Sequence, residues 1–207
     1  MQSLEKFRTP PSNRTMGIEW EMLWEERHPR FRAVYLAGYL GFFYVTTDGS
    51  INVDNYNQTG RELVSQPLTA PWLLKELERV HKRIPTPLYN DSCGIHIHVS
   101  RKWATQKKVD HLSAFLTRLD LADYKLAFGR LPNYYSRAMS APTPNCRYMA
   151  LNTTNKNTVE FRMFRSGDLK WAQYCVKLIN YMMVNANHLN TEAFFAFVEM
   201  EQPNDTN

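Results

Sequence analysis

Residues 94–99 read GIHIHV, and the reading of that stretch decides the fold. Histidines alternate with large aliphatic residues at a period of two, the pattern of a β-strand with one polar and one apolar face. The same period recurs on either side of it, in GIEWEM at residues 17–22 and in VEFRMF at 159–164. Glu19 and Glu21, His96 and His98, and Glu160 and Arg162 each lie two apart and share a face. Ile18, Trp20 and Met22, or Ile95, Ile97 and Val99, point the other way. One face of one sheet can gather all six polar groups. Carboxylates and an imidazole suit divalent cations, a second imidazole can face a phosphoryl group, and Arg162 is a fixed cation, so the set suits chemistry on ATP.

Working outward, the spacing predicts strands near residues 16–24, across roughly 31–47, at 61–66, at 147–152 and at 158–164. Asp48-Gly49 reads as a hairpin turn followed by the alternating Ile51 and Val53, and DNYNQTG at 54–60 as a polar loop. Thr69 and Pro71 open a helix with Leu73, Leu77, Val80 and Ile84 on one side, and a single helix is expected from about Gln106 to Phe128. Residues 129–145, with three prolines, form a long loop of the kind that serves as a lid or binding segment. RYMALN and TVEFRMF flank a turn at TTNKN. Asp168 caps a long helix striped by Trp171, Cys175, Leu178 and Met182, and a short helix starts at Thr191.

Polar-faced strands interspersed with helices predict an α+β protein: an antiparallel sheet with helices on one side. A flexible tail is expected at 1–15, one catalytic domain at 16–200 and a disordered tail at 201–207. The chain has 207 residues, 43% of them hydrophobic, which is enough for one substantial core. A net charge of +5 favours acidic partners such as nucleotides, carboxylates or nucleic acid. Cys93, Cys146 and Cys175 are odd in number and far apart, so reduced buried thiols are expected rather than a disulfide framework or structural zinc. Residues 1–15 have no apolar segment behind their charges, so no secretory signal is expected. The Asn-x-Thr sequons, such as the one at Asn152, then read as accidental. No run is long enough to cross a bilayer as a helix. A cytoplasmic location follows as an expectation, the host cytoplasm if the protein is phage-encoded.

Taken singly, each motif has a plainer reading. Two glutamates on a strand face are usually solvated, and Glu160 and Arg162 can simply pair with each other. Asp48 before Gly49 is a turn residue, and Glu62 an edge-strand charge.

The ordered set GIEWE, TTDGSI, RELVSQPL, CGIHIHVS, RYMALN, TVEFRMF and DLKWAQYCVKLINYMM spans about residues 16 to 185. It resembles the phage and bacterial amidoligase family, carboxylate–amine ligases of the glutamine synthetase and glutamate–cysteine ligase superfamily. The resemblance implies a curved, mainly antiparallel sheet, a partial barrel with helices packed on its outer face and with ATP and two or three magnesium ions, or manganese in their place, on its concave face. It implies metal ligation by Glu19, Glu21, Asp48, Glu62, His96 and Glu160, and nucleotide phosphate binding and catalysis by His98 and Arg162. Arg130, Arg137 and Arg147, before the last hairpin, become candidates for the substrate carboxylate.

Physical chemistry makes that set sensible. A carboxylate is unreactive towards amines until ATP converts it to an acyl phosphate, and two anions must meet for that to happen. If Glu160 holds a metal, Arg162 is expected to diverge from it towards phosphate. The chain has no recognisable adenine-binding segment or large substrate domain, so another subunit of a homo-oligomer or an ordered loop is expected to complete the site. Two other classes remain open. A nucleic-acid-binding protein would use the basic runs LLKELERVHKR at 73–83 and SRKWATQKK at 100–108, without a recognised motif. A catalytically silent interaction protein would keep the ligase fold and turn over no ATP. The identity of the carboxylate and amine, and the base that activates the amine, have no signature in the sequence.

Overall fold

The computed structural model describes residues 13–31, 34, 39–134, 136–138 and 147–203. The fold is α+β. Seven strands form one antiparallel, open sheet in the order β2-β3-β4-β1-β5-β7-β6. Their bounds are β1 Met16–Glu25, β2 Tyr39–Leu40, β3 Phe43–Thr46, β4 Gln58–Ser65, β5 Gly94–Ser100, β6 Leu151–Asn152 and β7 Thr158–Arg165. Helices bounded within the described residues are α1 Ala70–His81, α2 Gln106–Leu116, α3 Leu121–Phe128, α4 Leu169–Asn185 and α5 Thr191–Glu201.

The apolar half of each alternating strand builds the core. Ile18, Trp20 and Met22 of β1, Ile95, Ile97 and Val99 of β5, and Val159 and Phe161 of β7 are all buried. Against them lie α1, through Leu73, Leu77 and Val80, and α4, through Trp171, Cys175, Leu178, Ile179 and Met182. Each fully buried side chain of this size stabilises by about 1.5–3 kcal/mol relative to exposure, so this face holds the sheet in place. Trp20 is also anchored by its Nε1, which donates to Gly167 O at 3.1 Å. Helix α4 begins where Asp168 accepts from Trp171 N at 2.9 Å, and α5 where Asn190 accepts from Ala193 N.

Several local expectations are corrected. The region expected as strand from 31 onwards contains a helical turn at 29–31, and pairing is confined to β2 and β3, joined at residues 41–42; positions 32–33 and 35–38 lie outside the described residues. Asp48-Gly49 makes a turn but no hairpin. Ile51 does not continue a strand, because it drops into a small apolar cluster with Leu23 and Cys93. Strand β4 starts at Gln58, three residues before the expected RELVS. The single helix from Gln106 to Phe128 is two helices, because the Asp120 carboxylate accepts from Asp123 N at 2.8 Å and starts α3 afresh. Apolar spacing alone runs straight through that break. Of RYMALN, only Leu151–Asn152 joins the ladder with β7.

The ends of the folded unit also shift. Thr15 is buried and its carbonyl accepts from Ser100 N, so the folded part begins before 16; residues 1–12 lie outside the described ones. Glu201 closes α5 and pairs with Lys177 at 2.8 Å, and Gln202 Nε2 donates to Leu126 O, so order extends past 200; residues 204–207 lie outside the description. Cys93 and Cys175 are buried free thiols, whereas Cys146 lies outside the described residues. Among the described residues no helix is long and apolar enough to cross a membrane.

Removing the α4 cap tests this account. Asp168→Ala is expected to cost about 1 kcal/mol in urea denaturation, because one buried-end amide loses its acceptor, without changing the strand register.

Candidate metal centre

Ladder pairing places the polar halves of the strands side by side. Glu19 lies opposite His96, Glu21 opposite Glu62, Glu62 opposite Thr46, and His98 opposite Glu160. Directly opposed residues of antiparallel strands share a face, so β3, β4, β1, β5 and β7 contribute to one polar surface, opposite Trp20 and the helices. Asp48, two residues beyond β3, is held in its turn by Ser50 N, which donates to its Oδ1 at 2.7 Å.

The side chains meet closely. His96 Nδ1 is 3.2 Å from Glu19 Oε2 and 3.5 Å from Glu160 Oε1, and His96 Nε2 is 3.8 Å from Glu21 Oε1. His98 Nε2 is 3.0 Å from Glu19 Oε1 and 3.9 Å from Glu160 Oε1. Three overlapping groups each bring their donor atoms within 4.8 Å of one another: Glu19, His98 and Glu160; Glu19, Glu62 and His96; Glu21, Asp48 and Glu62. Glu19 links the first two and Glu62 the last two. Every residue expected to ligate metal, together with His98, therefore belongs to one continuous cluster.

Its electrostatics are uneven. Burial opposes the charge of Glu19, but hydrogen bonds and charge from His96 and His98 outweigh it and hold that carboxyl well below the usual range. Burial also opposes protonation of His98, yet Glu19 and Glu160 raise its pKa. Burial pushes Glu21 up, against the charge of His96 and the Gly94 N–H, which donates to Glu21 Oε2 at 2.6 Å. Glu62 fares worst: burial, then the charges of Glu19, Glu21 and Asp48, push it up to about 8. A divalent cation would supply the missing counter-charge. The all-oxygen group suits Mg²⁺ or Mn²⁺, and the imidazole-containing groups accept Mn²⁺ readily, so the donor set fits the implied ions.

The arginines are placed differently from one another. Arg162 does not diverge from Glu160: its Nη1 pairs with Glu160 Oε1, correcting that expectation. The pair is within reach because residues two apart share the strand face, and a buried carboxylate without a counter-charge is costly. Arg130 lies beside the cluster, with its guanidinium against Gly94 and its Nη2 donating to Arg162 O at 2.6 Å. Arg137 and Arg147 are exposed and lie over Tyr134 and Tyr148, at 4.9 and 5.3 Å from the ring centroids. No contact joins either of them to the cluster among the described residues.

Two contributors escaped the sequence reading. Asn152 Nδ2 donates to Glu160 Oε2 at 2.6 Å, while its Oδ1 accepts from Thr154 N and Oγ1. This burial of its amide also makes the sequon at Asn152 accidental. A lone Asn in the otherwise apolar MALN was the available signal, but the pairing of 152 with 160 depends on the shape of the intervening turn. Gly94 is the second: its N–H donates to Glu21 Oε2, and a Cβ there would crowd the Arg130 guanidinium, at 3.1 Å from Nη1 and 3.3 Å from Nη2.

The raised pKa of Glu62 has a definite sign. Its proton is bound more tightly in the folded state, so its unfavourable contribution is absent below the ordinary value of 4.5 and grows as pH rises towards about 8. In chelator, Glu62→Gln is expected to raise Tm clearly at pH 8.5 and little at pH 5, measured by thermal denaturation; an equal gain at both would contradict the shift. No protein-family model matches this chain, and comparison with curated protein sequences finds no match.

Proposed function

We propose that this protein is an ATP-dependent carboxylate–amine ligase, forming an amide through an acyl phosphate. The observation that carries the reading is the continuous cluster of Glu19, Glu21, Asp48, Glu62, His96, His98 and Glu160 on one sheet face. The order of its motifs along the chain resembles that of the amidoligases and supports the same reading. Bound Mg²⁺ or Mn²⁺ would neutralise phosphate and carboxylate charge and draw electron density from the transferring phosphoryl group.

The roles of the chain's own groups follow from their placement. A substrate carboxylate oxygen attacks the γ-phosphorus and ADP leaves; the amine then attacks the acyl carbon and phosphate leaves. Glu19 and Glu62, each shared by two donor groups, would help to hold the cations. Asn152 and Arg162 fix the Glu160 carboxylate from two sides. His98 Nε2 lies 3.0 Å from Glu19 Oε1, and its imidazole can face a phosphate oxygen. Arg162 presents a planar fork beside Glu160, suited to phosphate oxygens once the carboxylate is otherwise neutralised.

Incubation of the protein with ATP, Mg²⁺ and mixed amino acids or cell extract, with mass detection of condensed products lacking one water, tests the activity. Glu160→Gln and Glu19→Gln are expected to abolish Mg²⁺-dependent ATP turnover while the fold survives. Arg162→Lys keeps the charge and loses the fork, so turnover should fall by roughly 10²-fold with a smaller effect on KM for ATP. Near-normal turnover in that variant, or ATP binding without any product, would overturn the reading in favour of a silent protein on this fold.

A further inference from the structure

Strands β5 and β7 slip out of step beside the acidic cluster. Ile97 pairs with Phe161 but Ile95 pairs with Phe164, so Arg162 and Met163 together face the single residue His96. This is a β-bulge, with one extra residue on β7. Without it Met163 would stand opposite Ile95, and every later residue of β7 would shift by one place against β5. The bulge falls on Arg162, whose side chain pairs with Glu160. At this point the Arg162 carbonyl accepts from a side-chain donor.

Arg130 supplies it. Its Nη2 donates to the Arg162 carbonyl at 2.6 Å, while the Arg162 amide donates to Ala150 O at 2.8 Å on the β6 side. The guanidinium reaches this carbonyl across Gly94, where a Cβ would crowd Nη1 and Nη2 at 3.1 and 3.3 Å. Its own backbone is placed by Gly129, whose φ of 73° ends α3. A Cβ at Gly129 would meet the Arg165 side chain at 2.5 Å, and Arg165 lies over Trp171 at 4.4 Å. Gly129 at the end of α3 and Trp171 at the start of α4 thus both pack on Arg165 at the end of β7. Arg130 is half-buried and committed to a backbone carbonyl, an arrangement unlike an arginine held open for a substrate.

We infer that Arg130 is a positioning residue: by holding the Arg162 carbonyl at the bulge, it fixes the direction in which Glu160 and Arg162 project towards His96 and His98. Its consequence for turnover rests on the ligase reading, whereas its hold on β7 does not.

Hydrogen–deuterium exchange separates the two. Arg130→Met keeps the length and removes the donors; Arg130→Lys keeps one charged donor. Exchange in β7 and β6 of the Met variant should speed up by about tenfold more than exchange in β1 and β4, the scale of one lost charge-assisted hydrogen bond, and the Lys variant should recover most of the protection. In the turnover assay kcat of Arg130→Met should fall at least tenfold with KM for ATP within about twofold, and Lys should restore part of it. Protection in β7 that merely follows the rest of the sheet overturns the inference, as does unchanged kcat in a variant whose β7 has loosened. If the wild-type protein turns over no ATP, the ligase reading fails and the exchange result alone decides the hold of Arg130 on β7.

Discussion

Alternation along β1 is the constraint on which the rest depends. Trp20 is fully buried, stacked parallel to the His81 and Tyr89 rings and tied to Gly167 by its indole N–H. Its neighbours Glu19 and Glu21 must then face the other side, whatever the cost of crowding them. A shift of one residue would expel Trp20 and bury two carboxylates in the core, a loss of many kcal/mol. Apolar packing on one side of the strand thereby enforces an arrangement on the other that electrostatics alone would disperse.

That enforced crowding gives the cluster its chemical character. Two imidazoles serve Glu19, Arg162 and Asn152 serve Glu160, and a backbone N–H serves Glu21. Glu62 lies among like charges, which is why its carboxyl holds a proton near neutrality. A site with more carboxylates than counter-charges is poorly optimised for stability and well suited to recruit cations.

The second control lies at the other end of the cluster, where β7 bulges against β5. Bulges re-aim side chains, and here the extra residue falls next to Glu160 and Arg162. The loop carrying Asp48 is fixed by different means: Ile51 is seated on Leu23 and Cys93, and Asn90 bonds Asn52 O and Asp54 Oδ1 from across the neighbouring loop. Strand pairing, a bulge and a pinned loop thus bring together residues from position 19 to position 160.

Period-two runs around 19, 96 and 160 were legible in the sequence because alternation is local: it needs only the next few residues to say which side chains share a face. The α+β class, the cap at Asp168, the helix starting at Thr191 and the membership of the cluster followed from such local signals and from motif order. Other features were decided by distant partners. The fate of Ile51 depended on an apolar niche formed by Leu23 and Cys93, whereas the break at Asp120 is local, a cap bond to Asp123 N that apolar spacing runs straight through. Asn152 met Glu160, and Arg130 met the Arg162 carbonyl, only through the register of β7 and the bulge within it. The sequence by itself determined which residues could share a face; tertiary structure decided which strands lay side by side, because register is set by packing across the whole sheet and no single strand contains that information.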